Sequence, residues 1–305
     1  MNLYKINKEY SLVLFFFTLI VLGGVILNLT YEIPFLKIIC FFLISTIGIS
    51  HGALDNLKGY KILKFYGINK KYFFYLTYII FLLLVIFFWI LFPSLTLSLF
   101  LLVAAYHFGK EDCSFGIKIK KRFINLFYLL KGSIVILAPL AFHPDETIAI
   151  FEILNVKLND ITNENWFISL FVLSFLSNIF IVIWGKNDGF IIADWFTIIM
   201  LNVAFSPLVA FTIYFCFLHS VRHSLSLIYE LNKNNFNKGF KEFIKKALPL
   251  TIITGILYLI AVFILTNSYD LDNAILKVIF IGLASLTFPH ILLEYLVEKN
   301  GKKRN

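Results

Sequence analysis

Five of the six histidines in this 305-residue chain lie inside or at the end of long apolar stretches. They are His51, His107, His219, His223 and His290. An ionisable side chain is costly at membrane depth, so such residues point to a functional site. His219 and His223 are four residues apart, which places both imidazoles on one helix face and suits two ligands of one metal ion. The set therefore predicts a metal site, whereas His143, which precedes a proline, is expected at a helix end.

Carboxylates accompany these histidines at helical spacing. Asp55, Glu111 and Glu294 each follow a histidine by four residues, and Asp112 is a further candidate. A carboxylate one turn away can accept the free ring N–H of a metal-binding histidine, on its own helix or on a neighbouring one. We therefore expect these four carboxylates to orient the histidines rather than bind the ion.

Further ionisable residues within the predicted membrane segments include Arg222, Lys131 and Asp194. Arg222 stands between the paired histidines but points away from them. We expect its guanidinium to pair with one of the four carboxylates or to reach the lipid headgroups. Lys131 and Asp194 have no partner that is evident from the sequence.

The donor set restricts the metal and the substrate. Imidazole suits iron, copper, zinc or nickel, and the three cysteines are far apart. Six-coordinate iron bound by four imidazoles keeps two positions open for dioxygen and for substrate or water, whereas four-coordinate zinc would be closed. An interior that draws on 36 Phe and 15 Tyr suits an apolar substrate. A lipid, sterol, quinone or carotenoid would satisfy these conditions.

The composition identifies the elements that must position these residues. The chain is 60% hydrophobic and 15% charged, with a mean hydropathy of +0.86, which excludes a disordered chain and an ordinary soluble enzyme. Long unbroken apolar runs also exclude the alternating strands of an outer-membrane barrel. We predict an all-α, polytopic transmembrane bundle of about ten spans, within a range of eight to ten. The candidate spans are 11–29, 34–52, 72–92, 95–109, 123–142, 166–184, 189–204, 207–229, 248–266 and 274–297.

The distribution of charge predicts the orientation in the membrane. Lys and Arg concentrate in alternate loops and at both termini, which places those segments in the cytoplasm. The net charge of +9 therefore reflects topology, and no nucleic-acid partner is expected. We predict one integral-membrane domain over 1–305, in the inner or plasma membrane of the cell. Five histidines then fall near the cytoplasmic ends of spans 2, 4, 8 and 10. A short helix is expected within 143–165, and an amphipathic one over 239–247.

Four short segments resemble one known family. They are HGALD at 51–55, AYHFG at 105–109, HSVRH at 219–223 and PH at 289–290. Their order and spacing resemble the Brp/Blh family of bacteriorhodopsin-related membrane proteins, regarded as β-carotene 15,15'-dioxygenases. The resemblance covers the second span to the tenth and does not extend to the first span or to the basic tail.

The resemblance implies an activity and a ligand set. It implies a non-haem Fe(II) enzyme that adds dioxygen across the central double bond of β-carotene and releases two all-trans-retinal molecules, which serve a microbial rhodopsin. The implied iron ligands are His51, His107, His219 and His223. His290 matches a further family position, and it could be a fifth ligand, an orienting donor or a catalytic group over the dioxygen site.

Three alternatives remain open at this stage. A di-iron desaturase or hydroxylase needs about eight histidines, unless carboxylates substitute for some of them. A metal or proton transporter needs ionisable groups along a path across the membrane, whereas the outer halves of these spans carry few. A non-catalytic assembly factor for an opsin or for retinal delivery could keep the fold without the activity.

Overall fold

The computed structural model describes residues 3–28, 33–113, 123–156, 164–185 and 189–302. Within these ranges, the side chains of His51, of residues 164–167 and of residues 301–302 lie outside the description. The regular elements of the described part are all helical. In chain order they are α1 (Leu3–Ile26), α2 (Leu36–Leu43), a π-helical segment (Ile44–Gly48), a 3₁₀ turn (His51–Leu54), α3 (Asp55–Phe65), α4 (Tyr72–Leu91), α5 (Pro93–Glu111), α6 (Ile124–Gly132), α7 (Ile134–Phe142), α8 (Pro144–Ile153), α9 (Glu164–Gly185), α10 (Phe190–Ala204), α11 (Pro207–Ile213), a second π-helical segment (Tyr214–Ser220), α12 (Val221–Leu231), α13 (Phe236–Leu265) and α14 (Leu271–Lys302).

Each of the ten predicted spans coincides with one or more of these helices. Eight continuous helical stretches of the described residues are long and apolar enough to cross a membrane. The predicted spans 95–109 and 189–204 correspond to α5 and to the 15-residue α10, which are not among the eight. The polytopic helical bundle is thus confirmed, with a count inside the predicted range. The cytoplasmic location of the termini stays a prediction.

The outer surface of the bundle is apolar. Side chains such as Ile90 on α4 and Phe263 on α13 have exposed fractions of 74% and 75%. Apolar surface on this scale is unfavourable in water and matches the hydrocarbon interior of a bilayer. The predicted amphipathic helix over 239–247 is the beginning of the long α13. The short helix expected within 143–165 is α8.

Helix α14 contacts helices that matter for the site beyond its neighbour in the chain. It packs against α2, α3, α4, α5, α8 and α13. Pro289 lies inside this helix, directly before His290. Because α14 contacts helices from both halves of the chain, its side chains can meet residues that are far apart in sequence.

The two π-helical segments pack against each other. A Cβ added at Gly48 would lie 2.6 Å from a ring carbon of Phe215, so a larger residue there would require the Phe215 ring to shift. The Ser220 hydroxyl donates to the Gly48 carbonyl across the same contact at 3.0 Å. A π turn inserts a residue into a helix and re-aims the side chains that follow, and such turns are frequent at functional sites. Here they precede His51 and contain His219.

Helices α5 and α6 approach each other through two glycines. A Cβ at Gly109 would lie 1.7 Å from the Tyr128 carbonyl oxygen, and one at Gly132 would lie 1.9 Å from the Ala105 carbonyl oxygen. Small residues allow membrane helices to come this close, since van der Waals packing drives their association. This contact fixes the end of α5 that carries His107 and Glu111.

Candidate metal centre

Four of the five singled-out imidazoles are buried together. The His107 ring centroid lies 5.2 Å from that of His219 and 5.3 Å from that of His290, and His223 lies 5.8 Å from His290. The four side chains come from α5, the second π segment, α12 and α14. Residues separated by up to 183 positions in the chain therefore meet in one cluster.

The side chain of His51 lies outside the described residues, but its backbone does not. His51 begins the 3₁₀ turn that leads into α3. A Cβ built on the next residue, Gly52, would lie 3.8 Å from Nδ1 of His290. The chain segment that carries His51 therefore runs beside the histidine cluster.

Each of the four carboxylates reaches a histidine of a neighbouring element, and Glu294 also approaches His290, the histidine one turn before it. Asp55 on α3 holds Nδ1 of His290 with both oxygens at 2.9 Å. Asp112, directly after α5, lies 3.0 Å from Nδ1 of His219. The crossed arrangement was one of the two possibilities that the spacing left open.

The two remaining carboxylates follow the same crossed pattern at longer distances. An oxygen of Glu111 lies 3.3 Å from Nδ1 of His223, and an oxygen of Glu294 lies 3.5 Å from Nδ1 of His107. All four described imidazoles thus present Nδ1 to a carboxylate. For His219 and His290, whose Nδ1 atoms are hydrogen-bonded to an aspartate, the proton belongs on Nδ1 and the lone pair on Nε2, because an ionised carboxylate only accepts hydrogen bonds.

Two tyrosines extend these contacts. The Tyr214 hydroxyl donates to Asp112 at 2.7 Å, and the Tyr78 hydroxyl donates to Asp55 at 3.0 Å. Sequence reasoning missed both tyrosines, although a hydroxyl inside an apolar span is itself a signal, since it needs a partner there. Each aspartate therefore accepts from one tyrosine and one histidine.

Glu294 occupies a central position among the candidate ligands. Its oxygens lie 3.6 Å from Nε2 of His290 and 3.8 Å from Nε2 of His223, and Lys58 approaches at 3.2 Å. Among the residues that the structure describes, two sets of three have ligand atoms within 4.8 Å of one another. They are His107, His290 and Glu294, and Glu111, His223 and Glu294.

The site provides the chemistry that a metal ion requires. Nε2 of His107 is buried and has no hydrogen-bond partner among the described residues. A lone pair that is removed from water in this way is costly unless something binds it. Imidazoles oriented by carboxylates are the common way in which proteins present nitrogen to a transition metal. The residues present therefore fit a divalent ion of the imidazole-binding class.

The surroundings of Asp112 stabilise the ionised form of its carboxyl, which accepts hydrogen bonds. Burial raises the pKa of its carboxyl, but the interaction with His219 and the positive charges of Lys131 and Arg222 outweigh burial and hold this pKa below its ordinary range. The carboxylate therefore stays ionised, as the hydrogen bonds from His219 and Tyr214 require.

Arg222 pairs differently from the expectation. Its guanidinium donates to both oxygens of Asp194 on α10 at 2.7 Å, and it also donates to the Ser11 hydroxyl on α1. The expectation of a pair with one of the four carboxylates beside the histidines was therefore wrong. Asp194 lies on another helix and could not be matched to Arg222 from spacing alone.

A cavity of about 570 Å³ adjoins the histidine cluster. His107, His219, His290 and Asp55 form its polar end. Most of the remaining lining is apolar or aromatic, with Phe74, Tyr78, Phe108 and Phe215 among the rings. The volume lies within the range of about 300–1,000 Å³ that is typical of ligand sites.

The cavity opens towards the lipid-facing surface. Helices α4 and α13 both pack on α14 and both contribute to the lining. On these two helices, the lining residues Ile79, Ile253 and Leu257 have exposed fractions of 53%, 53% and 57%. A molecule dissolved in the bilayer can therefore reach the cavity without passing through water.

Comparisons with known proteins agree on one family. The family described as "Beta-carotene 15,15'-dioxygenase" matches residues 42–298. A protein named "Beta-carotene 15,15'-dioxygenase", from an uncultured marine bacterium (66A03), is 28% identical over 274 residues, which cover 82% of this chain and 90% of that protein. No solved structure matches the chain significantly.

Proposed function

This chain belongs to the β-carotene 15,15'-dioxygenase family, and we propose that it cleaves the central double bond of β-carotene with dioxygen to give two molecules of all-trans-retinal. The observation that carries the proposal is the juxtaposition of buried, carboxylate-oriented imidazoles with an apolar cavity that opens towards lipid. The protein acts as a multi-pass protein of the cell membrane, and its product serves a retinal-binding protein such as a microbial rhodopsin.

The proposed cofactor is Fe(II), held by His51, His107, His219 and His223. When bound, ferrous iron supplies the activation of dioxygen. The two oxygen atoms go to the two carbons of the broken bond, so the products are two aldehydes and no proton is gained or lost overall. A general base is therefore not needed, and the carboxylates are left to orient the imidazoles.

In the proposed reaction, residues of this chain orient an imidazole, exclude water from it and position the substrate. Asp112 holds Nδ1 of His219, and the rings of Phe108 and Phe215 lie 4.8 Å and 5.9 Å from the same imidazole. These contacts fix its orientation and keep water away from it. The cavity positions the substrate, because its shape determines which part of a bound polyene lies beside the histidines.

The substrate suits the cavity for a physical reason. β-Carotene is uncharged and dissolves in the bilayer, so entry past exposed lining residues such as Ile79 and Leu257 removes no polar group from water. The polyene can lie against the aromatic rings of Phe74 and Phe215. Since it offers no hydrogen-bonding group, its position along the cavity sets the cleaved bond.

The test is expression in bacteria that accumulate β-carotene. We expect the wild-type chain to bleach the orange cells, with all-trans-retinal in extracts resolved by chromatography. His107→Ala should abolish retinal formation and reduce the iron found by elemental analysis of purified protein. The matched control is His143→Ala, because His143 lies away from the cluster and contacts the Asn202 carbonyl at 2.7 Å. Full colour and no retinal with a folded wild-type protein would refute the proposed function.

A further inference from the structure

We propose that His290 binds the metal ion directly through Nε2, as a further ligand alongside the four histidines named above. This inference rests on the proposed metal centre. It assigns His290 to the ligand set, rather than to an orienting or dioxygen-facing position. The surroundings of the His290 imidazole repeat those of His219.

The repetition consists of two equivalent triads. In one, Tyr214 donates to Asp112, which accepts from Nδ1 of His219 at 3.0 Å. In the other, Tyr78 donates to Asp55, which accepts from Nδ1 of His290 at 2.9 Å. Tyr78, Asp55 and His290 come from three different helices, whereas Tyr214 and His219 share the second π segment and meet Asp112 at the end of α5, so the two triads are built from different elements. Both triads fix the Nδ1 tautomer and leave the Nε2 lone pair for an ion.

The position of the ring agrees with this role. His290 is 3% exposed, and its centroid lies 5.3 Å from that of His107 and 5.8 Å from that of His223. Its ligand atom lies within 4.8 Å of those of His107 and Glu294. Two ligands of one ion with bonds of about 2.1 Å cannot be more than about 4.2 Å apart, so only small adjustments separate this arrangement from a coordinated one.

The surrounding charge also favours a bound cation at Nε2. Glu294 brings an oxygen to 3.6 Å from this atom, and Asp55 holds the other side of the ring. Lys58 lies 3.2 Å from the same oxygen of Glu294 and offsets part of its charge. The Asp55 carboxylate at Nδ1 increases the basicity of the imidazole and therefore its strength as a ligand through Nε2.

The decisive experiment compares the two triads in the purified full-length protein. Asp55→Asn and Asp112→Asn remove the same charge from equivalent positions and keep the side-chain shape. If His290 is a ligand, both variants should lose iron to a chelator ~10–100-fold faster than the wild type. If Asp112→Asn loses iron and Asp55→Asn retains it at the wild-type rate, the assignment of His290 is overturned.

A spectroscopic measurement separates a ligand from a neighbouring residue. Co²⁺ substituted for iron has visible absorption bands that report the number and type of its ligands. We expect His290→Gln to shift these bands and His143→Gln to leave them unchanged. Size-exclusion chromatography in detergent checks that each variant is folded. Unchanged Co²⁺ bands in folded His290→Gln would overturn the proposal, even if retinal formation were lost.

The outcome is independent of the carotenoid reaction. The chelator and Co²⁺ measurements use no substrate, so a chain that binds metal through His290 but forms no retinal would refute the proposed function alone. A chain that forms retinal with unaltered Co²⁺ bands in His290→Gln would refute this inference alone.

Discussion

Replacing Gly132 by alanine tests whether the close approach of α5 and α6 positions the histidine cluster. The added Cβ would lie 1.9 Å from the Ala105 carbonyl oxygen and 2.6 Å from the Gly109 nitrogen. Both obstacles are backbone atoms, so no change of rotamer relieves the clash. Gly132 does not line the cavity and is not among the candidate ligands, so the substitution acts through helix position.

The size of the effect follows from these distances. A Cβ contact shorter than 3.0 Å is essentially never observed, so α5 and α6 must separate by at least about 1.1 Å. Overpacking a well-packed interface typically costs about 1–3 kcal/mol, and we expect the upper end because backbone must move. His107 lies on the displaced part of α5, and a displacement of about 1 Å at a reacting centre can reduce the rate ~100-fold.

The assay measures the thermal midpoint in detergent, bound iron and the rate of retinal formation. We expect Gly132→Ala to lower all three. The control is Gly23→Ala on α1, where an added Cβ meets no atom within 4 Å and alanine should be neutral or slightly stabilising. A Gly132→Ala protein with the midpoint and rate of Gly23→Ala would refute the inference that this contact positions His107.

Three further predictions concern other parts of the molecule. Gly48→Ala should lower the thermal midpoint, and Phe215→Leu should restore it in the double variant, because here the obstructing atoms belong to a side chain. Asp194→Asn leaves the buried Arg222 guanidinium without its carboxylate partner, so calorimetry should show a loss of about 3–5 kcal/mol in the free energy of unfolding. Asp272→Asn, which breaks an exposed ion pair, should cost only about 0–1 kcal/mol. Leu257→Trp at the exposed edge of the cavity should raise KM for β-carotene several-fold while bound iron stays constant. A KM equal to that of the wild type would contradict entry from the lipid side at this position.

Hydropathy was sufficient to locate the spans, because a helix that crosses a bilayer needs a long apolar run. Elements that interrupt such runs could not be located in this way. The π segments at 44–48 and 214–220 lie inside stretches that hydropathy identifies as single spans. They meet through Gly48 and Phe215, a contact that depends on two segments far apart in the chain.

The candidate site could be predicted as a set of residues but not as a set of contacts. Ionisable residues in apolar runs identified the histidines and carboxylates, since each is expensive unless it has a role. The partner of each one depends on which helices are neighbours. Asp55 therefore contacts His290 on α14, and Arg222 contacts Asp194 on α10.

The crossed pairing of carboxylates and histidines has a consequence for biogenesis. No two helices that leave the ribosome in succession can form the complete cluster, because the partner of Asp55 is His290, 235 residues later. The partner of His107, Glu294, also belongs to α14, which is synthesised long after α5. Assembly of the centre is therefore delayed until α14 has entered the bilayer, and a prematurely terminated chain leaves Asp55 and His107 without these partners.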